Sequence, residues 1–146
     1  MNTILGRIFL LLTSVQTPKS QAVIGRAGSS AFNLPGVVVN FKTPFVSTFF
    51  TPLDDRSLAQ SRHILITALA QGRQTGTRYS ADGTRLEATD TAPLLLEPVQ
   101  ATIKFVGTKP VSVTACDHYG LPMTGKSVAI GPDGSFAIDG TRRACY

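Results

Sequence analysis

Residues 53–76, "LDDRSLAQSRHILITALAQGRQTG", carry two aspartates, two serines and a histidine ahead of an apolar run. Three readings compete: a catalytic cluster, an amphipathic helix, or a buried strand with polar neighbours. As a helix, the stretch has a cap in Ser57 and apolar residues at Leu58, Leu65 and Leu69. Ile64, Ile66 and Ala68, however, would spread apolar surface almost around the cylinder. As a strand, Ile64, Ile66 and Ala68 face one way and Leu65, Thr67 and Leu69 the other, which suits a central strand buried on both faces. β-Branched content and the breakers Gly72 and Gly76 favour the strand. It is expected over residues 63–70, with Ile64, Leu65, Ile66 and Leu69 buried.

Turn signals elsewhere agree with that choice. Leu34-Pro35-Gly36 precedes the alternating "VVVNF", and Asp82-Gly83 separates "TRYSA" from "TRLEA". His118-Tyr119-Gly120 closes "VSVTAC", and Asp133-Gly134 joins "KSVAI" to "SFAI". Short β-prone runs between such joints, with no ten-residue helical pattern among them, predict an all-β domain. At 146 residues the chain is one domain's worth, far below the roughly 250 residues of a catalytic barrel. The fold expected is an antiparallel β-sandwich, open to being incomplete at its termini. In "TPFVSTFFTPL" the adjacent Phe49 and Phe50 must face opposite ways if the segment is a strand.

Composition narrows the function classes. Hydrophobic residues make up 42% of the chain and charged residues 16%, so there is ample apolar surface to bury and the chain should fold. The net charge of +5 invites a nucleic-acid partner. Arg7, Lys19, Arg26, Lys42, Lys104, Lys109 and Lys126 are scattered singly, however, with no aromatic ladder among them, and no nucleic-acid binding is expected. Cys116 and Cys145 are too few for a disulfide framework or a metal site, and they pair only if their strands are neighbours. Residues 1–13 read either as a signal-like segment, with Arg7 ahead of the apolar Ile8–Leu12, or as a first strand ended by Pro18. No run approaches a membrane-spanning length.

"SVQTPKSQAVIG" (14–25), "PLDDRSLAQSRHILITALAQGRQTG" (52–76), "PLLLEPVQATIKF" (93–105) and "VTACDHYGLPM" (113–123) together resemble a known pattern. It is that of the β-sandwich domain C-terminal to the (β/α)-barrel in large bacterial glycoside hydrolases of the cellulase and β-galactosidase-like kind. The chain departs from the pattern at two turns, carrying Gln74-Thr75-Gly76 for an "NTG" turn and Asp54-Asp55 for a "DG" turn. The resemblance covers most of residues 14–146 and implies an accessory domain of a polysaccharide-degrading enzyme. Its partner would be the catalytic barrel or a polysaccharide, and its location extracellular or periplasmic. It also implies that "TRRACY" stops where a final strand would continue.

The chemistry-bearing residues point the same way. Asp82, Asp133 and Asp139 each precede glycine and read as turn formers, while Asp54 and Asp55 sit in a hairpin loop. Of the remaining acids, Glu97 reads as a strand-end residue bonding backbone or Arg62, so no catalytic pair across a cleft emerges with Glu87. Ser61 and His63, two apart on a strand, have no glycine-flanked elbow to make a nucleophile triad with Asp54. His63 and His118 have no partners at metal-ligand spacing, and "GPDGSFAIDG" has too few oxygens for a calcium loop. No catalytic residue, metal site or cofactor is expected. Sugar binding is the alternative, for which Tyr79 and Tyr119 are the loop aromatics able to form a platform in a chain without tryptophan. A third alternative is an orphan folded fragment without independent activity. "TPFVSTFFTPL" and "PLLLEPV" also supply more apolar surface than a small sandwich buries easily, so the isolated chain is expected to self-associate.

Overall fold

Alternating β-branched and aromatic residues set short extended segments throughout the chain. The computed structural model describes residues 12–89, 92–117 and 119–140. Over these it contains β1 (Thr13–Gln16), β2 (Gln21–Arg26), β3 (Ala31–Asn33), β4 (Val37–Phe41), β5 (Phe45–Pro52), β6 (Ile64–Leu69) and β7 (Gly72–Gln74). There follow β8 (Arg78–Tyr79), β9 (Leu86–Ala88), β10 (Leu94–Leu96), β11 (Gln100–Phe105), β12 (Thr114–Cys116), β13 (Pro122–Ser127) and β14 (Phe136–Asp139). The all-β, antiparallel class expected from the sequence is what the structure has.

Two four-stranded sheets make the body, in the orders β1-β2-β5-β6 and β14-β11-β4-β3. Two arms project from it: β10 pairs with β7, with the β8–β9 hairpin nested between them, and β12 pairs with β13. The sheets share one buried cluster. Val23, Val46, Phe50 and Ile66 enter it from the first sheet, and Val37, Val39, Phe41, Ala101, Ile103, Phe136 and Ile138 from the second. Phe50 meets Phe105 edge-on across the gap, with ring centroids 6.2 Å apart. Burying each of the larger side chains, Ala101 aside, contributes about 1.5–3 kcal/mol, so this inner layer dominates stability. Leu58, from the loop joining β5 to β6, plugs one end. It is fully buried, and its N–H donates to the Pro18 carbonyl at 2.9 Å. A Cβ on Gly36 would come within 3.0 Å of the Leu58 side chain, which explains a glycine there.

Local turn chemistry forms where it was expected. The Leu34-Pro35-Gly36 turn closes β3 to β4 through the Leu34 N–H and the Val37 carbonyl, 2.9 Å apart. At Asp82-Gly83 the glycine takes φ 71°, and the Asp82 carboxylate accepts bonds from the Thr84 N–H and both the Ser80 and Thr84 hydroxyls. Phe49 and Phe50 do point to opposite faces of β5, since Phe50 is fully buried and Phe49 is 38% exposed.

Three expectations change. The 63–70 strand exists as β6, but at the edge of its sheet and not in the centre, because among the described residues β5 is its one neighbour. Ile66 is buried and Ile64 and Leu65 half-buried, while Leu69 is 55% exposed on the outer side. The Asp133-Gly134 turn forms, yet it joins no hairpin of "KSVAI" and "SFAI": a single bridge, Ile130 to Phe136, links them. β14 instead pairs with β11, setting Phe136 beside Ile103 and Ile138 beside Ala101 inside the core. Cys145 lies outside the described residues, and with it the question of a Cys116–Cys145 pair, as do the apolar residues 8–11 and His118.

Candidate functional site

The polar cluster of the opening stretch is spent on its own loop. Asp54 follows β5, and its two carboxylate oxygens accept from the Arg62 N–H at 3.0 Å and the Arg56 N–H at 3.3 Å. The bond from Arg62 is the main cause holding its carboxyl below the usual range. Ser61 is buried, and its hydroxyl donates to the His63 carbonyl at 2.8 Å while accepting the His63 N–H at 3.2 Å. A serine closed onto the backbone of the residue two ahead is an ST-type turn, so the Ser61 proton goes to the His63 carbonyl, while the same hydroxyl also helps hold the Asp54 carboxyl down.

The remaining acids are dispersed. Ser80, above all, and Thr84 lower the Asp82 carboxyl to about 2, and Ser135 with Lys104 does the same for Asp133. Asp139 accepts from the Gln100 side chain at 3.1 Å. The Glu97 N–H donates to the Gln71 carbonyl, and of the two partners read for Glu97, backbone or Arg62, the Arg62 ion pair does not form: among the described residues the ion pairs are Lys19–Asp55 and Lys104–Asp133. No three potential metal ligands gather among the described residues.

The two tyrosines sit on different arms. Tyr79 lies in β8 with the Arg73 guanidinium 5.8 Å from its ring centroid, a cation–π contact, and Arg73 also donates to the Gln71 side chain. Tyr119 is 89% exposed at the β12–β13 turn, where the Asp117 carboxylate accepts the N–H groups of Tyr119 and Leu121. Each is available as a single aromatic surface, and they belong to separate two-stranded sheets.

Strand register exposes a larger feature. Along the first sheet the inner row Val23, Thr48, Ala68 alternates with the outer rows Val15, Ala22, Phe49, Thr67 and Thr13, Ile24, Ser47, Leu69. That outer face mixes apolar residues with the hydroxyls of Thr13, Ser47 and Thr67, and among these rows the charge is Arg26, at one end opposite Phe45. Val15, Phe49 and Leu69 are exposed on it. Leu94, Leu95 and Leu96 of β10 are each more than half exposed as well. Only the pairing of strands reveals these rows, although the alternation within each strand was legible.

A second feature had no local signal in the sequence. A cleft of about 580 Å³ runs between the start of β6 and the second sheet, lined by Ile64, Leu65, Ile66, Phe105, Phe136 and Ile138 and walled by residues 108–114. Arg62, His63 and Lys109 add polar groups, and among the described residues no carboxylate lines it. The segment forming its wall is tied across to the β5–β6 loop, where the Thr108 hydroxyl donates to the Ala59 carbonyl at 2.8 Å. Compared with protein-family models, with curated proteins and with solved structures, the chain matches none of them.

Proposed function

We propose that the chain is a non-catalytic accessory module that packs against a larger catalytic partner. The partner's kind follows from the resemblance to the sandwich domains of barrel glycoside hydrolases, as does an extracellular or periplasmic location. On this view the two sheets are the layers of a β-sandwich. The observation that carries the proposal is the outer face of the first sheet, where Val15, Phe49 and Leu69 lie exposed on an almost uncharged surface. Contiguous exposed apolar surface marks a site of contact with another molecule. The use of Asp54, Asp82 and Asp133 as loop and turn caps supports a role without hydrolysis, because a glycosidase needs two carboxyl groups facing one bond.

Purified protein is expected to hydrolyse neither cellulose, galactan, agarose nor aryl glycosides. Light scattering through a concentration series near neutral pH should show self-association, and the double change Phe49→Glu with Leu69→Glu should abolish it. A sharply monomeric wild type at high concentration would instead favour a self-contained sugar-binding domain using Tyr79 or Tyr119. Turnover that vanishes with Glu97→Gln would overturn the non-catalytic assignment.

A further inference from the structure

The outward edge of β6 differs from the other three edges of the two four-stranded sheets. β1 has four residues and is followed by Pro18, β3 has three, and β14 has four and ends in Asp139. β6 has six residues, "ILITAL", with no charge and no proline. Edges are ordinarily blunted by shortness, charge or proline, and this one is not.

The ladder fixes which of its groups are open. The Leu53 N–H donates to the His63 carbonyl at 2.8 Å. Bonded pairs therefore continue at Thr51–Leu65, Phe49–Thr67 and Ser47–Leu69, while the N–H and C=O of Ile64, Ile66 and Ala68 point away from β5. Pro52, opposite Ile64, fits this phase because no donor is needed there. Among the described residues, 64–69 make no backbone hydrogen bond outside the β5 ladder.

The 580 Å³ cleft lies along this same edge, on the side to which Ile64 and Ile66 turn. Its floor is made of core side chains, Ile66, Phe105, Phe136 and Ile138, so an apolar group entering it would extend the core. Its charged lining among the described residues is Arg62 and Lys109, whose ammonium also donates to the Pro132 carbonyl at 3.4 Å, with no acid in that lining. A volume of this size falls in the range of about 300–1,000 Å³ typical of ligand sites.

We infer that the β6 edge and its cleft take up one extended strand of a partner polypeptide, paired to the backbone of Ile64, Ile66 and Ala68. Every second side chain of that strand is apolar and enters the cleft, and an acidic side chain near one end meets Arg62 and Lys109. Main-chain pairing supplies attachment and the alternate pockets supply selection. A second copy of β6 fits less well, because "ILITAL" and its flanks Arg62, His63 and Gln71 carry no acid to match the two cations. This site is separate from the outer face of the sheet and does not rest on the role proposed for that face.

The test uses the full chain and a fluorescently labelled octapeptide of alternating valine and threonine with a glutamate at one end. Two companions accompany it, one with lysine replacing the glutamate and one with alternate backbone nitrogens methylated. Fluorescence polarisation should show saturable binding of the glutamate peptide, about tenfold weaker binding of the lysine peptide, and none of the methylated one. Amide hydrogen exchange should slow at Ile64, Ile66 and Ala68 when the glutamate peptide is present. Ala68→Pro removes one outward donor and should abolish binding. Should that variant fail to fold, the paired change Arg62→Glu with Lys109→Glu should invert the preference toward the lysine peptide. Four outcomes would overturn the proposal: no saturable binding, equal binding of the methylated peptide, no inversion by the charge swap, or protection of the three amides that rises with protein concentration alone. The last would assign the edge to a second copy.

Discussion

Across the outer face of the first sheet, neighbours run Val15, Ala22, Phe49, Thr67; across the outer face of the second they run Ala31, Asn40, Thr102, Ala137, flanked by Lys104 and Asp139. Both sheets are antiparallel, both have four strands, and both turn their other side to the same core. The second shows what an antiparallel sheet looks like when one side meets water, with apolar residues in and polar residues out. The first breaks that alternation, carrying Val15, Phe49 and Leu69 exposed on its outer side. The contrast within one molecule separates apolar residues that the core buries from apolar residues that it leaves exposed.

Adjacent phenylalanines test that separation most strongly. Phe50 is fully buried and stacked edge-on to Phe105, so Phe50→Ala should cost about 3–5 kcal/mol in denaturant unfolding. Phe49, one residue away on the outer face, should cost far less on the same change, about 1 kcal/mol or below. Phe49→Ala should act mainly on association measured by light scattering. Equal costs for the two would erase the distinction between the faces.

A smaller effect is expected at Gln21, which joins the two sheets. Its buried side chain accepts the Gly36 N–H at 2.9 Å, from the turn between β3 and β4. Gln21→Ala leaves that buried donor unsatisfied and should cost about 1–3 kcal/mol. If urea unfolding shows no loss, water has replaced the carboxamide.

Much of the architecture was legible because it is local. Asp82-Gly83, Leu34-Pro35-Gly36 and Asp117 before Gly120 make their turns with bonds spanning two to five residues, and such chemistry reads directly from the chain. Period-two alternation likewise divided Phe49 from Phe50. What alternation cannot state is a strand's neighbours. "ILITAL" reads as buried on both faces because all but one of its residues are apolar, yet its place at an edge depends on pairing with β5 alone, and Leu69 is left in solvent. The same limit hid the true partner of "SFAI". Phe136 and Ile138 gain more from burial beside Ile103 and Ala101 than a short hairpin with "KSVAI" would supply. The cleft was the least legible feature, since Ile66, Phe105, Lys109 and Phe136 are brought together only by the fold.

Threonine on the two sheets sharpens the comparison in the opposite direction. Thr48 lies on the inner face of β5, fully buried, and among the described residues its hydroxyl has no hydrogen-bond partner. Thr102 occupies the outer face of β11, exposed to water. Thr48→Val should therefore stabilise the protein, by about 1 kcal/mol, by removing an unsatisfied buried polar atom from an apolar site of matching shape. Thr102→Val should leave the thermal midpoint nearly unchanged. A destabilised Thr48→Val would mean that the hydroxyl has a partner in solution.

The smallest expected effect concerns charge on the polar face. Lys104, on its outer rows, reaches the Asp133 carboxylate at 3.2 Å, while Ser135 donates its hydroxyl at 2.7 Å and its N–H at 3.1 Å. The Ser135 hydroxyl is the largest cause, followed by its N–H and then Lys104, of an Asp133 carboxyl lowered from the usual 3.8 to about 2. A carboxyl depressed in the folded state binds its proton more readily in the unfolded chain. Its contribution to stability is therefore complete above about pH 4 and is lost as pH falls toward 2. Because the group is exposed, water and salt screen the effect to a minor one. Carbon-13 titration of the side-chain carboxyl should place its midpoint well below the usual aspartate range. Ser135→Ala should raise that midpoint more than Lys104→Ala does. The reverse order would make the cross-sheet ion pair, and not the turn, the main tie on this carboxylate, and would give the polar face a structural part that the comparison with the apolar face assigns to the core alone.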